Sequence, residues 1–123
     1  MKVLVIDDDY WTRRITVEAL VYSGNTTIEA ASGSEGLDLA LREKPDCILL
    51  DFLLSDCEGT KVLESLKSSD VQQPPIIFVT TLLNEHQRRE LLELGAAAVF
   101  AKPVDLTTLP NVLKQIVGER QVL

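Results

Sequence analysis

Five positions carry side chains suited to joint chemistry, and each stands at the end of an apolar run. Asp7 and Asp8 follow Lys2-Val3-Leu4-Val5-Ile6, and Asp51 closes Cys47-Ile48-Leu49-Leu50. Thr80 follows Ile76-Ile77-Phe78-Val79, and Lys102 follows Ala97-Ala98-Val99-Phe100-Ala101. Three carboxylates in one pocket repel, which raises their pKa values unless a cation sits among them. Oxygen donors without His or Cys suit Mg²⁺, which binds through one or two carboxylates and keeps several waters. One divalent metal and one lysine bring three carboxylates to neutrality. Such a site is suited to an incoming phosphoryl group, with metal and lysine on its oxygens and Asp51 as nucleophile.

That chemistry requires elements that bring distant residues to one rim. The run ending at Asp51 does not alternate and is bounded by turn signals, as in a strand buried on both faces. Lys2 to Ile6 also reads as a buried strand, Ile76 to Val79 as a fourth strand and Ala97 to Ala101 as a fifth, Ala-rich one. Thr26 to Ala30 mixes polar and apolar residues and reads as an edge strand. Between the strands, helical spacing predicts helices from Tyr10 to Ser23 (Ile15, Ala19 and Tyr22 recurring) and from Ser32 to Pro45, with Leu37, Ala40 and Leu41 inward. A third runs from Glu58-Gly59 to Lys67, with Val62, Leu63 and Leu66 inward. Ser32-Gly33-Ser34-Glu35 and Asn84-Glu85-His86-Gln87 are capping-box patterns, and Gly95 stops the helix that the second one opens. Ser68 to Pro75 is too polar and Pro-rich for helix or central strand. Proline is tolerated only in a helix's first turn, so Pro110 moves the start of the last helix to Thr107 or Thr108, and that helix runs to about Val117. Five strands alternating with five helices make an α/β fold, a doubly wound parallel sheet with helices on both faces. Ligands bind such sheets at the carboxyl ends of the strands.

Composition narrows the classes. The 123 residues fit one domain, residues 1–123, with one core. Hydrophobic content of 46% and charged content of 25% are ordinary for a globular domain. No apolar run approaches the roughly 20 residues that span a bilayer, and Met1-Lys2 leads directly into a strand. A net charge of −7 argues against nucleic acid as a direct partner. Cys47 and Cys57 lack metal spacing and read as free thiols of a cytoplasmic protein. Tyr10 and Trp11 read as core packing or a cover over the acidic pair, His86 as a solvated helix residue, and Arg13-Arg14 and Arg88-Arg89 as exposed helix faces. Gly33 and Gly36 do not form a nucleotide loop, since they open the second helix rather than follow the first strand.

Over nearly its whole length the chain resembles the receiver domain of two-component response regulators. The resemblance rests on Asp7-Asp8, on Asp51 with Gly59 beyond it, on Thr80, and on Lys102-Pro103. It implies a flavodoxin-like strand order of 2-1-3-4-5. It further implies that Asp51 accepts phosphate from the phosphohistidine of a histidine kinase or histidine phosphotransfer protein. Asp8, Asp51 and the Leu53 carbonyl would bind Mg²⁺, with Asp7 acting through water. Thr80 and Lys102 would contact the phosphoryl oxygens, the Lys102-Pro103 peptide would be cis, and an output domain or partner protein would read the result. Such a domain catalyses only its own phosphorylation and dephosphorylation, as a monomer or weak phosphorylation-dependent dimer. Ser55 stands where the family usually has proline, which predicts a less rigid loop after Asp51. Val99 replaces the family's switch aromatic, so phosphorylation is expected to reorder the loop from Thr81 to Asn84 and the start of helix four, with little change at Val99 itself. Leu53 and Leu82, flanking the path of a hydrolytic water, predict slow self-dephosphorylation. Two other readings compete: a docking module that needs no phosphate, and a Mg²⁺-dependent phosphohydrolase. The second lacks a general acid, because the residue two places after Asp51 is Leu53.

Overall fold

Each apolar run forms a strand: β1 (Lys2–Ile6), β2 (Thr26–Ala30), β3 (Cys47–Asp51), β4 (Ile76–Thr80) and β5 (Ala98–Ala101). The structure is a computed structural model that describes residues 1–81 and 84–121, the last two by backbone alone. All pairings are parallel and the strand order is β2-β1-β3-β4-β5. The expectations for Leu82 and for the middle of the 81–84 loop, residues 82 and 83, lie outside the described residues. Among the described residues, no helix is long and apolar enough to cross a membrane.

Five helices cover the sheet: α1 (Tyr10–Tyr22), α2 (Gly33–Glu43), α3 (Gly59–Lys67), α4 (Glu85–Glu93) and α5 (Leu109–Gln121). Side chains along a strand point alternately to opposite faces, which splits the core in two. Leu4, Ile6, Ile48, Leu50, Ile76 and Phe78 face α2, α3 and α4, meeting Ala40, Leu63, Leu66 and Leu91. Val3, Val5, Leu49, Ile77 and Val79 face α1 and α5, meeting Val17, Leu20, Leu109 and Leu113. Cys47 lies in this second layer, and burial pushes its thiol up to about 12, consistent with an unreactive free cysteine.

Several local expectations are corrected. The buried residues of α1 are Val17 and Leu20, while Ile15 is 52% and Tyr22 94% exposed. Each of these two lies two residues, roughly 200° of helix rotation, from a buried neighbour. Because α1 carries apolar residues almost all the way round, periodicity alone does not identify its inner face. The last helix starts at Leu109, later than Thr107 or Thr108, and continues past Val117 to Gln121. The Asp105 carboxylate accepts bonds from the Thr107 amide and hydroxyl, and its carbonyl accepts from the Leu109 amide. This turn occupies the residues before the helix and leaves Pro110 in the first turn, where a missing N–H costs nothing. Trp11 is 72% exposed rather than part of the core, its ring edge-to-face with Tyr10. Arg13 and Arg88 are half-buried and tied to the fold rather than exposed: Arg88 donates to the Val99 carbonyl. His86 is solvent-exposed beside Glu90, as expected.

Candidate functional site

Strand register brings the distant residues together. Ile6 pairs with Leu50, so Asp7, the next residue, comes alongside Asp51. Asp51 pairs with Val79, and Thr80 pairs with Ala101, the residue before Lys102. The Phe52 amide donates to the Val79 carbonyl and the Lys102 amide to the Thr80 carbonyl, which carries the ladder beyond the strand ends. Asp7, Asp51, Thr80 and Lys102 thereby share one rim. Asp7 and Thr80 are buried, Asp51 and Lys102 half-buried, and Asp8 exposed.

Lys102 Nζ lies 3.1 Å from Asp51 Oδ2 and 3.2 Å from Asp7 Oδ2. One carboxylate oxygen from each of Asp7, Asp8 and Asp51 falls within 4.8 Å of the other two. Burial raises the Asp51 carboxyl above its ordinary pKa; Lys102 opposes this, while the Asp7 and Asp8 charges add to it. Burial works to lower the Lys102 ammonium, but Asp51 and Asp7 outweigh it and the net shift is upward. Three carboxylates facing one ammonium leave two negative charges uncompensated. An all-oxygen donor set with that deficit fits one Mg²⁺. Below the rim, a cleft of about 280 Å³ runs between α1 and the β5–α5 connection, with Ile15, Val104, Leu106 and Leu109 on its walls.

The two loops at the rim are braced in ways the sequence did not suggest. Asp9 caps α1, its carboxylate accepting from the Thr12 amide at 2.8 Å, and its own amide donates to Asp7 Oδ1 at 2.9 Å. Arg13 Nη1 donates to the Asp7 carbonyl at 2.8 Å, while its Nε pairs with Glu29 Oε1 on β2 at 3.0 Å. An Arg on an amphipathic helix ordinarily reads as solvated; only the return of β2 beside β1 supplies its partner. Lys102-Pro103 is cis, as the family resemblance implies. Val99 is buried in the layer facing α4.

The loop after Asp51 is cross-linked within itself and to α2. The Gly59 amide donates to the Phe52 carbonyl at 2.6 Å, the Leu54 amide to the Cys57 carbonyl at 3.0 Å, and Leu53 bridges Glu58. Asp56 at its tip accepts bonds from the Gly33 and Ser34 amides on α2. Nothing in the loop's own sequence signals this contact, since the partners lie in a different crossover. Gly59 is required for steric reasons: a Cβ there would sit 2.6 Å from the Asp51 carbonyl oxygen and 2.9 Å from the Phe78 ring. Neither neighbour can move without shifting Asp51 or the core, so Gly59→Ala is expected to destabilise by about 1–3 kcal/mol, the usual cost of overpacking. A denaturant titration checks this, and an unchanged midpoint would contradict the tight approach.

The profile of the response regulator receiver domain matches residues 3–114. The chain is 32% identical to sporulation initiation phosphotransferase F of Bacillus subtilis, over 93% of this chain and 91% of that one. It is 28% identical to polar-differentiation response regulator DivK of Brucella anthropi, over 95% and 96% of the two chains. Its fold is similar to that of a CheY-like receiver domain protein from Methanospirillum hungatei, with TM-score 0.88 and 30% identity, covering 98% of this chain and 95% of that one. With a profile match that runs from β1 into α5 and takes in every residue of the rim, the chain belongs to the response regulator receiver domain family of two-component systems.

Proposed function

We propose that this receiver accepts a phosphoryl group on Asp51 from the phosphohistidine of a histidine kinase or histidine phosphotransfer protein, and passes the change to an output domain or partner protein. The observation that carries the reading is the Lys102 ammonium held between Asp51 and Asp7 beside three converging carboxylates. An Asp51 oxygen forms the new bond to phosphorus while the phosphorus–nitrogen bond of the donor breaks, and the donor imidazole keeps that electron pair. Lys102, already within hydrogen-bond distance of Asp51, transfers its donation to a phosphoryl oxygen. The buried Thr80 hydroxyl, at the end of the neighbouring strand, donates to another. Asp8, Asp51 and the Leu53 carbonyl would hold Mg²⁺, with Asp7 acting through water. The metal, when bound, supplies the charge neutralisation that phosphoryl transfer requires.

On this reading the domain catalyses only its own phosphorylation and dephosphorylation. It works in the cytoplasm as a monomer or weak phosphorylation-dependent dimer, with no membrane or nucleic acid contact of its own. The relationship to a protein named a phosphotransferase supports it. Incubation with Mg²⁺ and a small acyl phosphate, followed by intact mass, tests it. Stoichiometric gain of one phosphoryl group is the expected result. An unchanged mass would point to a phosphate-independent docking module, and steady release of phosphate without accumulation to a hydrolase.

A further inference from the structure

We propose that Asp56 is a positioning residue for the phosphoacceptor site, its carboxylate latching the loop after Asp51 onto the N-terminus of α2. The inference rests on the metal-binding role given above to Asp8, Asp51 and the Leu53 carbonyl. Asp56 Oδ1 accepts from the Gly33 amide at 2.9 Å and Oδ2 from the Ser34 amide at 3.0 Å, across 23 and 22 residues of chain. Bonds from charged acceptors to backbone amides at a helix N-terminus are among the stronger kinds in proteins. They hold the Asp56 carboxyl below its ordinary pKa.

The surroundings fit a latch rather than an incidental contact. Residues 52–59 form a closed tongue, cross-linked at its base by the Gly59 amide to the Phe52 carbonyl and further out by the Leu53–Glu58 bridge and the Leu54–Cys57 bond. Leu53 lies within this tongue and Asp56 at its tip, so fixing the tip fixes the orientation of the peptide that carries the Leu53 carbonyl. α2 is shaped for the approach. A Cβ on Gly33 would run into Cys57 Sγ and come within 3.3 Å of Asp56 Oδ1, so any larger residue there must displace the Cys57 side chain from this end of α2. Ser55 leaves the backbone φ free where a proline would fix it. The latch supplies from outside the loop the restraint that the loop's own sequence lacks.

The test combines Mg²⁺ titration calorimetry on metal-free protein, well below its melting temperature, with amide hydrogen exchange. Removing an outer-shell support typically weakens metal affinity by about 10–100-fold. Asp56→Ala is expected near the lower end of that range, with faster exchange across 52–58 and at Gly33 and Ser34 in the absence of metal. Asp56→Asn, which keeps one acceptor, should fall between. Gly33→Ala should weaken Mg²⁺ binding by displacing Cys57, and the added change Cys57→Ala should recover part of the loss. If wild type binds Mg²⁺ and Asp56→Ala binds it equally well while only melting lower, Asp56 merely caps a helix and the inference fails alone. If wild type takes up no Mg²⁺, the metal-binding reading fails and the inference falls with it.

Discussion

Asp51→Asn protein, incubated with Mg²⁺ and a small acyl phosphate, is expected to keep its unmodified mass while the wild type gains a phosphoryl group. The amide preserves the shape of the carboxylate but is a poor nucleophile toward phosphorus. The fold should survive, because the substitution removes a charge that burial, Asp7 and Asp8 all oppose. Loss of Lys102 should act differently. Lys102→Ala keeps the nucleophile and the acidic cluster but removes the cation that bridges Asp7 and Asp51, so phosphorylation should slow by orders of magnitude. In enzymes, removing a single preorganised donor to a developing oxyanion costs about 10²–10³ in rate. Phosphorylation of Asp51→Asn at a comparable rate would place the nucleophile elsewhere.

Mg²⁺ is expected to raise the stability of the wild type by mass action, about 2.7 kcal/mol at a hundred times its dissociation constant. For a domain of this size that corresponds to a rise of roughly 10 °C in melting temperature. The structural basis is the pair of negative charges that Lys102 leaves uncompensated among carboxylate oxygens within 4.8 Å of one another. Asp8→Asn removes one ligand and one of those charges, and should lose most of the gain. The pH dependence follows with a definite sign. The folded-state pKa of Asp51 is raised, chiefly by burial, so the protonated form favours the folded chain. The associated stability is complete below the unfolded carboxyl's value of about 3.9 and disappears as pH rises through the raised folded value. Metal-free protein should therefore lose stability across that window, and saturating Mg²⁺ should flatten the loss. Equal melting shifts in wild type and Asp8→Asn would contradict the assignment.

The sheet and its rim were legible in the sequence because buried parallel strands are continuous apolar runs, and each run stops at a polar residue. Asp7, Asp51, Thr80 and Lys102 meet because parallel register aligns the strand ends, which needs no knowledge of the helices. What was not legible depends on how the helices turn about their axes and where the crossovers return. The apolar residues around α1 hid that Val17 and Leu20, rather than Ile15 and Tyr22, face the sheet. The Arg13–Glu29 pair and the Asp56 contact with α2 join segments whose spacing carries no local signal. Pro110 correctly signalled a late helix start, but the Asp105 turn that delays it to Leu109 arises from side-chain hydrogen bonds rather than propensity.

The most direct test of the central claim is to locate the phosphoryl group by its chemistry. An aspartyl phosphate is a mixed anhydride that borohydride reduces to the alcohol, so the modified aspartate becomes homoserine, while phosphoserine and phosphohistidine do not yield this product. Wild-type protein phosphorylated with Mg²⁺ and a small acyl phosphate, reduced and digested, should give homoserine at position 51 in the peptide carrying Cys47 to Asp51. Homoserine at Asp7, Asp8 or Asp56 with Asp51 unchanged, or a phosphorylated protein with no homoserine at all, would contradict the account.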